Sequence, residues 1–445
     1  LRESCASLQV VITSRPAAFA NSPGFPENTY PRYELVSITK SQIDEYARRW
    51  IKARRLNSRD SADVKRILKE KLDQPHLRDL ARNPMQLAIL LSLIRARGSS
   101  LPDKRTALYD QYIELFFSRE SDKSPIVREY RDLLIDIHRY LAWILHSDAE
   151  QAHDRGSISS ERLQRLLAEY LKSEGYDPSL AAKLFAGMVE RVVALVSRVQ
   201  GTYEFEVQPL REYFAARFLY ETAPYSPPGA ECKGTKPDRF DALARNFYWL
   251  NVTRFYAGCF SKGELPALVD QLEVLTRAED YRNTNHPSIL AAMLLSDWVF
   301  TQNQRSMRAV VKLILDGLAL RSLLVSGNRY QSQDSMLVLP KDCGRDVLLE
   351  QCFTILRSLP PKDYALEILE IISANAHFEE VKELWLKEVF NVVGPERTQW
   401  VEYGLYLGSL AVVTTSDLRG LLSDEFDKPK RLGFLFRARQ TKFYE

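Results

Sequence analysis

The sequence is most informative at first through what it lacks. No stretch of it reaches the roughly 18 uninterrupted apolar residues that a membrane-spanning helix needs, so no membrane segment is expected. Cysteine is sparse: Cys5, Cys232, Cys259, Cys343 and Cys352 are odd in number, far apart and never in a CxxC pair. That usage argues against a disulfide framework or a thiolate zinc site and for reduced thiols in the cytoplasm. The six histidines, His76, His138, His146, His153, His286 and His377, form no HExxH and no pair with carboxylates at ligand spacing, so structural or surface roles are expected of them. Neither Ser14 nor Ser41 sits in a GxSxG elbow and no cysteine has a nucleophile signature, which leaves a hydrolase without support.

Two further absences bear on nucleotides and nucleic acids. There is no GxxxxGK[ST] loop to wrap phosphates with backbone N–H groups, and no strand-borne carboxylate for magnesium. LLID at 133–136 imitates such a strand end, but it lies in a helical stripe of Val127, Tyr130, Leu134, Ile137 and Leu141, which makes Asp136 a surface residue. Net charge is only +3, too small a bias for a global polyanion binder. The local exception is 40–72, with eleven Lys and Arg against five Asp and Glu at helical spacing; it reads as a solvated helix face. The opening LRESCASL has neither an initiator Met nor a signal layout and reads as an internal start.

What is present is mostly helix. LQVVIT at 8–13 and YELVSI at 33–38 are strand candidates around a loop rich in Pro and Asn, and amphipathic periodicity dominates after residue 40. Ile43, Tyr46, Ala47 and Trp50, then Ile67, Leu68 and Leu72, then Leu87, Leu90, Leu91 and Ile94 form core-facing stripes. Helices are expected from 101, over 126–145 and over 160–173. VALVSRVQGTYEFEV at 193–207 then alternates about Gln200 and Gly201 as a hairpin, and LREYFAARFLYE at 210–221 returns to helical period. Helices, a hairpin and a closing helix make a winged-helix unit the economical reading. Prolines and glycines in 223–239 mark a linker. Beyond it about eight amphipathic helices, broken by a polar loop near 326–345, suggest stacked helical hairpins without a fixed period. The aromatic group Tyr248, Trp249, Phe255, Tyr256 and Phe260 is expected to be core.

The order of TSRP (13–16), NPMQLAILLSLI (83–94), LPDKRTALYDQYIELF (101–116) and YEFEVQPLREYFAARFL (203–219) resembles the distal half of a NACHT-type nucleotide-binding module of the STAND signalling NTPases. The resemblance covers residues 8–222 and implies a mainly α chain. Residues 1–39 would be the C-terminal edge of a parallel α/β nucleotide-binding domain, 40–100 a helical domain, 101–222 a winged helix, 223–239 a linker and 240–445 a helical, repeat-like sensor. By the same resemblance Arg15, with Ser14 beside it, approaches the terminal phosphate of ATP or ADP, and Pro84 packs near the adenine. A guanidinium fork at the carboxyl end of a strand suits that role. Many members hold the β-phosphate with a winged-helix histidine; Val207 stands there in this sequence, leaving Gln208 or Arg211 as substitutes.

These resemblances imply a switch that senses a protein target, viral by default, through 240–445. It would then self-associate to activate an N-terminal effector in bacterial antiviral immunity. ATP hydrolysis with Mg²⁺ is expected only of a full-length protein that supplies the missing phosphate loop, and this chain alone is expected to be inactive. The competing reading is a STAND-type transcription regulator whose winged helix binds DNA. Against it, SSERLQRLLAEYLKSEG is balanced in charge and LREYFAARFLYE keeps only Arg211 and Arg217 as basic residues.

Overall fold

The computed structural model describes residues 38–72, 77–78, 81–152, 156–191, 195–196, 202–205, 208–227, 229, 231–315, 338–376, 378–409 and 414. The expected strands at 8–13 and 33–38 lie outside the described residues, apart from Ile38, which has no regular structure. The protein is mainly helical. In chain order the helices are α1 (Lys40–Ala53), α2 (Ser58–Leu72), α3 (Pro84–Arg97), α4 (Arg105–Lys123), α5 (Pro125–Glu129) and α6 (Arg131–Ala152). A short strand β1 (Ile158–Ser159) precedes α7 (Ser160–Ser173) and α8 (Leu180–Arg191); β2 (Leu195–Val196), β3 (Thr202–Phe205) and α9 (Gln208–Glu221) follow. Then come α10 (Lys236–Ala244), α11 (Leu250–Cys259), α12 (Leu265–Arg277), α13 (His286–Ser296) and α14 (Gln304–Ile314). The last described helices are α15 (Asp346–Arg357), α16 (Lys362–Asn375), α17 (Phe378–Asn391) and α18 (Gly394–Tyr406). Among the described residues no helix is long and apolar enough to cross a membrane.

The chain packs as two compact units that interleave along the sequence. One takes Tyr109–Lys236 and Asn246–Tyr256; the other takes Thr39–Leu108, Pro237–Arg245 and the chain from Ala257 onward. The expected helical domain and most of the expected helical array therefore fall in one unit, with Asn246–Tyr256 in the other. The expected linker at 223–239 also ends early, because α10 already begins at Lys236.

In the first unit, α6 and α9 pack closely along their lengths, and α7 and α8 pack on each other beside them. β3 is the centre of a three-stranded antiparallel sheet in the order β1-β3-β2. Leu195 pairs with Phe205 and Val196 with Glu204, a register symmetric about position 200, as the alternation around Gln200 and Gly201 requires. β1 was not expected, because two residues carry no readable period. Neither was α8, whose sequence LAAKLFAGMVER follows α7 after a short turn. Of the stripe predicted from spacing, Leu134, Ile137 and Leu141 are buried on α6, with Leu145 beyond them, while Val127 is buried on α5 and Tyr130 is only half-buried between the two helices; Asp136 lies at the surface paired to Arg139 at 2.8 Å. Trp249, Phe255 and Tyr256 are buried here as expected, Tyr248 is only half-buried, and Tyr109 packs edge-on against Phe255 with ring centroids 4.7 Å apart.

In the second unit, α3 packs against both α1 and α2. The stripe on α1 is Ile43, Ala47 and Ile51; Tyr46 and Trp50, expected in the core, are only half-buried at its margin. Thr39 caps α1 with a reciprocal pair of bonds: Gln42 N–H donates to its hydroxyl at 3.4 Å and its own N–H donates to Gln42 Oε1 at 2.7 Å. Farther along, chain neighbours pack on one another: α13 on α14, α14 on α15, α15 on α16 and α17 on α18. Such near-neighbour stacking is how helical arrays bury their apolar faces.

Candidate functional site

The residues singled out from sequence divide between the two units. Arg15, Ser14 and Val207 lie outside the described residues. Pro84 is in the second unit and Gln208 and Arg211 are in the first.

Pro84 opens α3 and is exposed. Asn83 precedes it and accepts a hydrogen bond from Gln86 N–H through its side-chain oxygen at 3.3 Å, while Leu87 N–H closes the first turn on the Asn83 carbonyl at 2.9 Å. Asparagine as cap and proline as first helical residue need no further support, because proline has no N–H to satisfy and its φ suits the first turn. The pair thus presents a rigid apolar ring to solvent.

Gln208 and Arg211 occupy the first turn of α9, and the chemistry there is inward. Arg211 and Glu212 are each only 2 % exposed, a charged pair of residues inside a segment where Leu210, Tyr213, Phe214, Ala215 and Ala216 are also buried. Gln208 Nε2 donates to Glu212 Oε1 at 2.5 Å. The Arg211 guanidinium fills the space beside Gly156: a Cβ at that glycine would stand 2.3 Å from Arg211 Nη1 and 2.5 Å from the Leu145 carbonyl oxygen. Gly156 also has φ +70°, so this position combines a left-handed backbone with a close side-chain approach. The geometry makes Arg211 a bolt between α9 and the loop that follows α6.

The other end of α9 carries a continuous charge relay on one face. Tyr213 hydroxyl donates to Asp110 at 2.5 Å, Arg217 reaches Asp110 at 3.9 Å and Glu221 at 2.9 Å, and Arg139 joins Glu221 to Asp136. These bonds tie α4, α6 and α9 together around a half-buried seam.

Several chemistry-bearing residues were not chosen as site residues from sequence, His138 and His146 among them, of which a structural or surface role was expected. His138 and His146 are fully buried on the inner face of α6. The His138 ring lies among Phe117, Phe205 and Phe214, with Nδ1 2.6 Å from the Leu134 carbonyl, and burial pulls its pKa down to about 4. It is therefore neutral at pH 7, with Nδ1–H donating to Leu134. His146 packs between Tyr248 and Trp249, and the adjacent Glu150 accepts from Asn246 Nδ2 at 2.6 Å and Trp249 Nε1 at 2.7 Å. Spacing could have placed both histidines inside, since they fall on the same stripe as Leu134, Leu141, Leu145 and Ala149. In the second unit Arg105 and Asp297 form a buried ion pair at 3.5 Å. No local signal joins two residues so far apart in sequence.

Among the described residues no group of three or more His, Cys, Asp or Glu side chains is arranged to hold a metal ion. Comparison with family models, curated proteins and solved structures finds no match to this chain.

Proposed function

We propose that this chain is the distal part of a NACHT-type STAND switch, in which a nucleotide-binding edge, a helical domain and a winged helix control a helical sensor. The reading rests on the order TSRP, NPMQLAILLSLI, LPDKRTALYDQYIELF and YEFEVQPLREYFAARFL along one chain. The observation that carries it furthest is the topology after residue 130. The succession α6, β1, α7, α8, β2, β3, with sheet order β1-β3-β2 and a closing helix α9, is the arrangement a winged helix requires. The neighbour-on-neighbour packing of α13 to α16, and of α17 with α18, supports a helical array suited to protein recognition. ATP or ADP would meet Arg15 and Ser14 at the strand end and Pro84 at the base, with Mg²⁺ held by residues upstream. The positions left as latch substitutes, Gln208 and Arg211, lie in the first turn of α9, where Arg211 is buried and Gln208 donates to Glu212. The activity proposed is target-triggered self-association in the cytoplasm that drives an effector in antiviral defence.

The DNA-reading alternative gains nothing from the structure. In a winged helix the third helix enters the groove, and α8 carries only Lys183 and Arg191 as basic residues. Lys183 is engaged by Glu129 at 3.2 Å and lies over the Tyr130 ring.

The test joins sequence and binding. A GxxxxGK[ST] loop about 100–150 residues upstream of Thr13 is expected in the coding region, the spacing the resemblance implies. Protein containing it should bind fluorescent ADP, with Arg15→Ala weakening binding about tenfold or more, the value of one charge-assisted hydrogen bond. No upstream loop, or unchanged affinity in Arg15→Ala, refutes the proposal.

A further inference from the structure

Between α15 and α17 the second unit has an open cleft of about 340 Å³. Its apolar lining is Leu349, Phe353 and Leu384; the first two are nearly fully buried, and Leu384 is 38 % exposed. Around it stand five carboxylates, Asp346, Glu350, Glu380, Glu383 and Glu388, against a single cation, Arg357. Arg357 is already spent, since its fork grips Glu388 at 2.5 and 2.9 Å. Asp346 and Glu380 share Arg345, at 3.5 and 3.4 Å, and Glu350 pairs with Arg308 at 2.9 Å, so the five carboxylates meet three arginines in all. Glu383, exposed at the rim, has no ion pair among the described residues. The cleft is thus apolar at its floor and negative at its edge. It fits an extended segment that offers aromatic anchors between cations.

The same chain contains such a segment. KPKRLGFLFRARQTK, residues 428–442, has six basic residues and no acidic one, with Leu432, Phe434, Leu435 and Phe436 between the two basic clusters. α18 packs directly on α17, which forms one wall of the cleft. From Ser409 at its end, the eighteen residues 410–427 can span roughly 60 Å when extended, far more than the width of two helices. We propose that the α15–α17 cleft is the docking site of this chain's own segment 428–442, with Phe434 or Phe436 seated against Phe353 and Leu384 and the flanking Lys and Arg on the acidic rim. The cleft is at the small end of enclosing pockets, the right size for a single aromatic anchor. Exposed ion pairs contribute little each, but tethering holds the segment at a local concentration of order millimolar, so weak contacts suffice to keep it docked. This inference stands apart from the nucleotide-switch reading and uses none of its residues.

Zero-length carbodiimide cross-linking of the full chain tests it, using an equal mixture of unlabelled and ¹⁵N-labelled protein and mass-spectrometric mapping. The expected result is same-isotope links from Lys428, Lys430 or Lys442 to Glu380, Glu383 or Glu388, fading as salt is raised. Glu383→Arg should lower the remaining links to Glu380 and Glu388 about fivefold, the worth of one ion pair at the upper end for exposed sites. Adding Arg437→Glu and Arg439→Glu to that variant should restore them. Glu383 is exposed, so unchanged circular dichroism is expected and the loss reports docking. Mixed-isotope links to the cleft would make a second copy the occupant and overturn the proposal. Links from the segment to other surfaces only, or none at all, would overturn it equally.

Discussion

Acid should weaken the first unit through one side chain, His138. Its ring is wholly buried among Phe117, Phe205 and Phe214, and burial lowers its pKa to about 4 despite the opposing bond to the Leu134 carbonyl. In the unfolded chain the same ring titrates near 6.5. As pH falls from about 6.5 to 4 the unfolded state therefore binds a proton that the folded state refuses, and stability drops by roughly 1.4 kcal/mol per pH unit. The full loss by pH 4 is about 3 kcal/mol, a large part of the 5–15 kcal/mol that holds a typical domain folded. His138→Phe keeps a ring in the aromatic nest but cannot titrate. It carries a fixed packing penalty of about 1–3 kcal/mol that does not depend on pH. The measurement is urea unfolding followed by tryptophan fluorescence from pH 7.5 to 4 for both proteins. Carboxylates and His286, whose pKa burial also lowers, are common to both and cancel in the difference. The wild type should lose its advantage over the variant steadily below pH 6.5. A difference that stays constant with pH, or that grows on acidification, refutes the reasoning.

Three further outcomes follow from close contacts. Gly404→Ala in α18 would place a methyl 2.3–2.7 Å from the indole of the buried Trp385, whose Nε1–H donates to the Trp400 carbonyl at 2.6 Å. The helix-propensity gain of about 1 kcal/mol should be outweighed by overpacking, so the thermal midpoint should fall; a rise would show that the indole yields freely. Asp297→Ala removes the buried carboxylate paired with Arg105 and should cost about 3–5 kcal/mol in chemical denaturation, whereas Arg105→Met with Asp297→Leu should recover most of it. Gly156→Ala meets Arg211 Nη1, the fixed Leu145 carbonyl and a left-handed φ together, and should cost about 2–5 kcal/mol. Hydrogen exchange in the first turn of α9 should then accelerate, and protection equal to wild type would contradict the bolt assigned to Arg211.

Periodicity made the helices legible, since one face of each must find a core. α7 begins and ends where its pattern does, at Ser160 and Ser173, with Leu163, Leu167 and Leu171 buried at a spacing of four. The hairpin about Gln200 was readable because two strands of opposite direction share one alternation. β1 was not, for two residues have no period, and it exists only because β3 offers a free edge beside Ile158 and Ser159.

The candidate site divides the same way. Sequence order alone carried the choice of Ser14, Arg15, Pro84 and the α9 turn, because motif spacing survives without coordinates. Only the packed structure turned Arg211 inward against Gly156, since a charge at the start of an amphipathic helix can face either way until a glycine opposite leaves room for it. The Arg105–Asp297 pair and the acidic α15–α17 cleft are likewise tertiary facts. Local sequence fixes which residues are helical and which face is apolar, and the juxtaposition of helices far apart in the chain decides which charges meet.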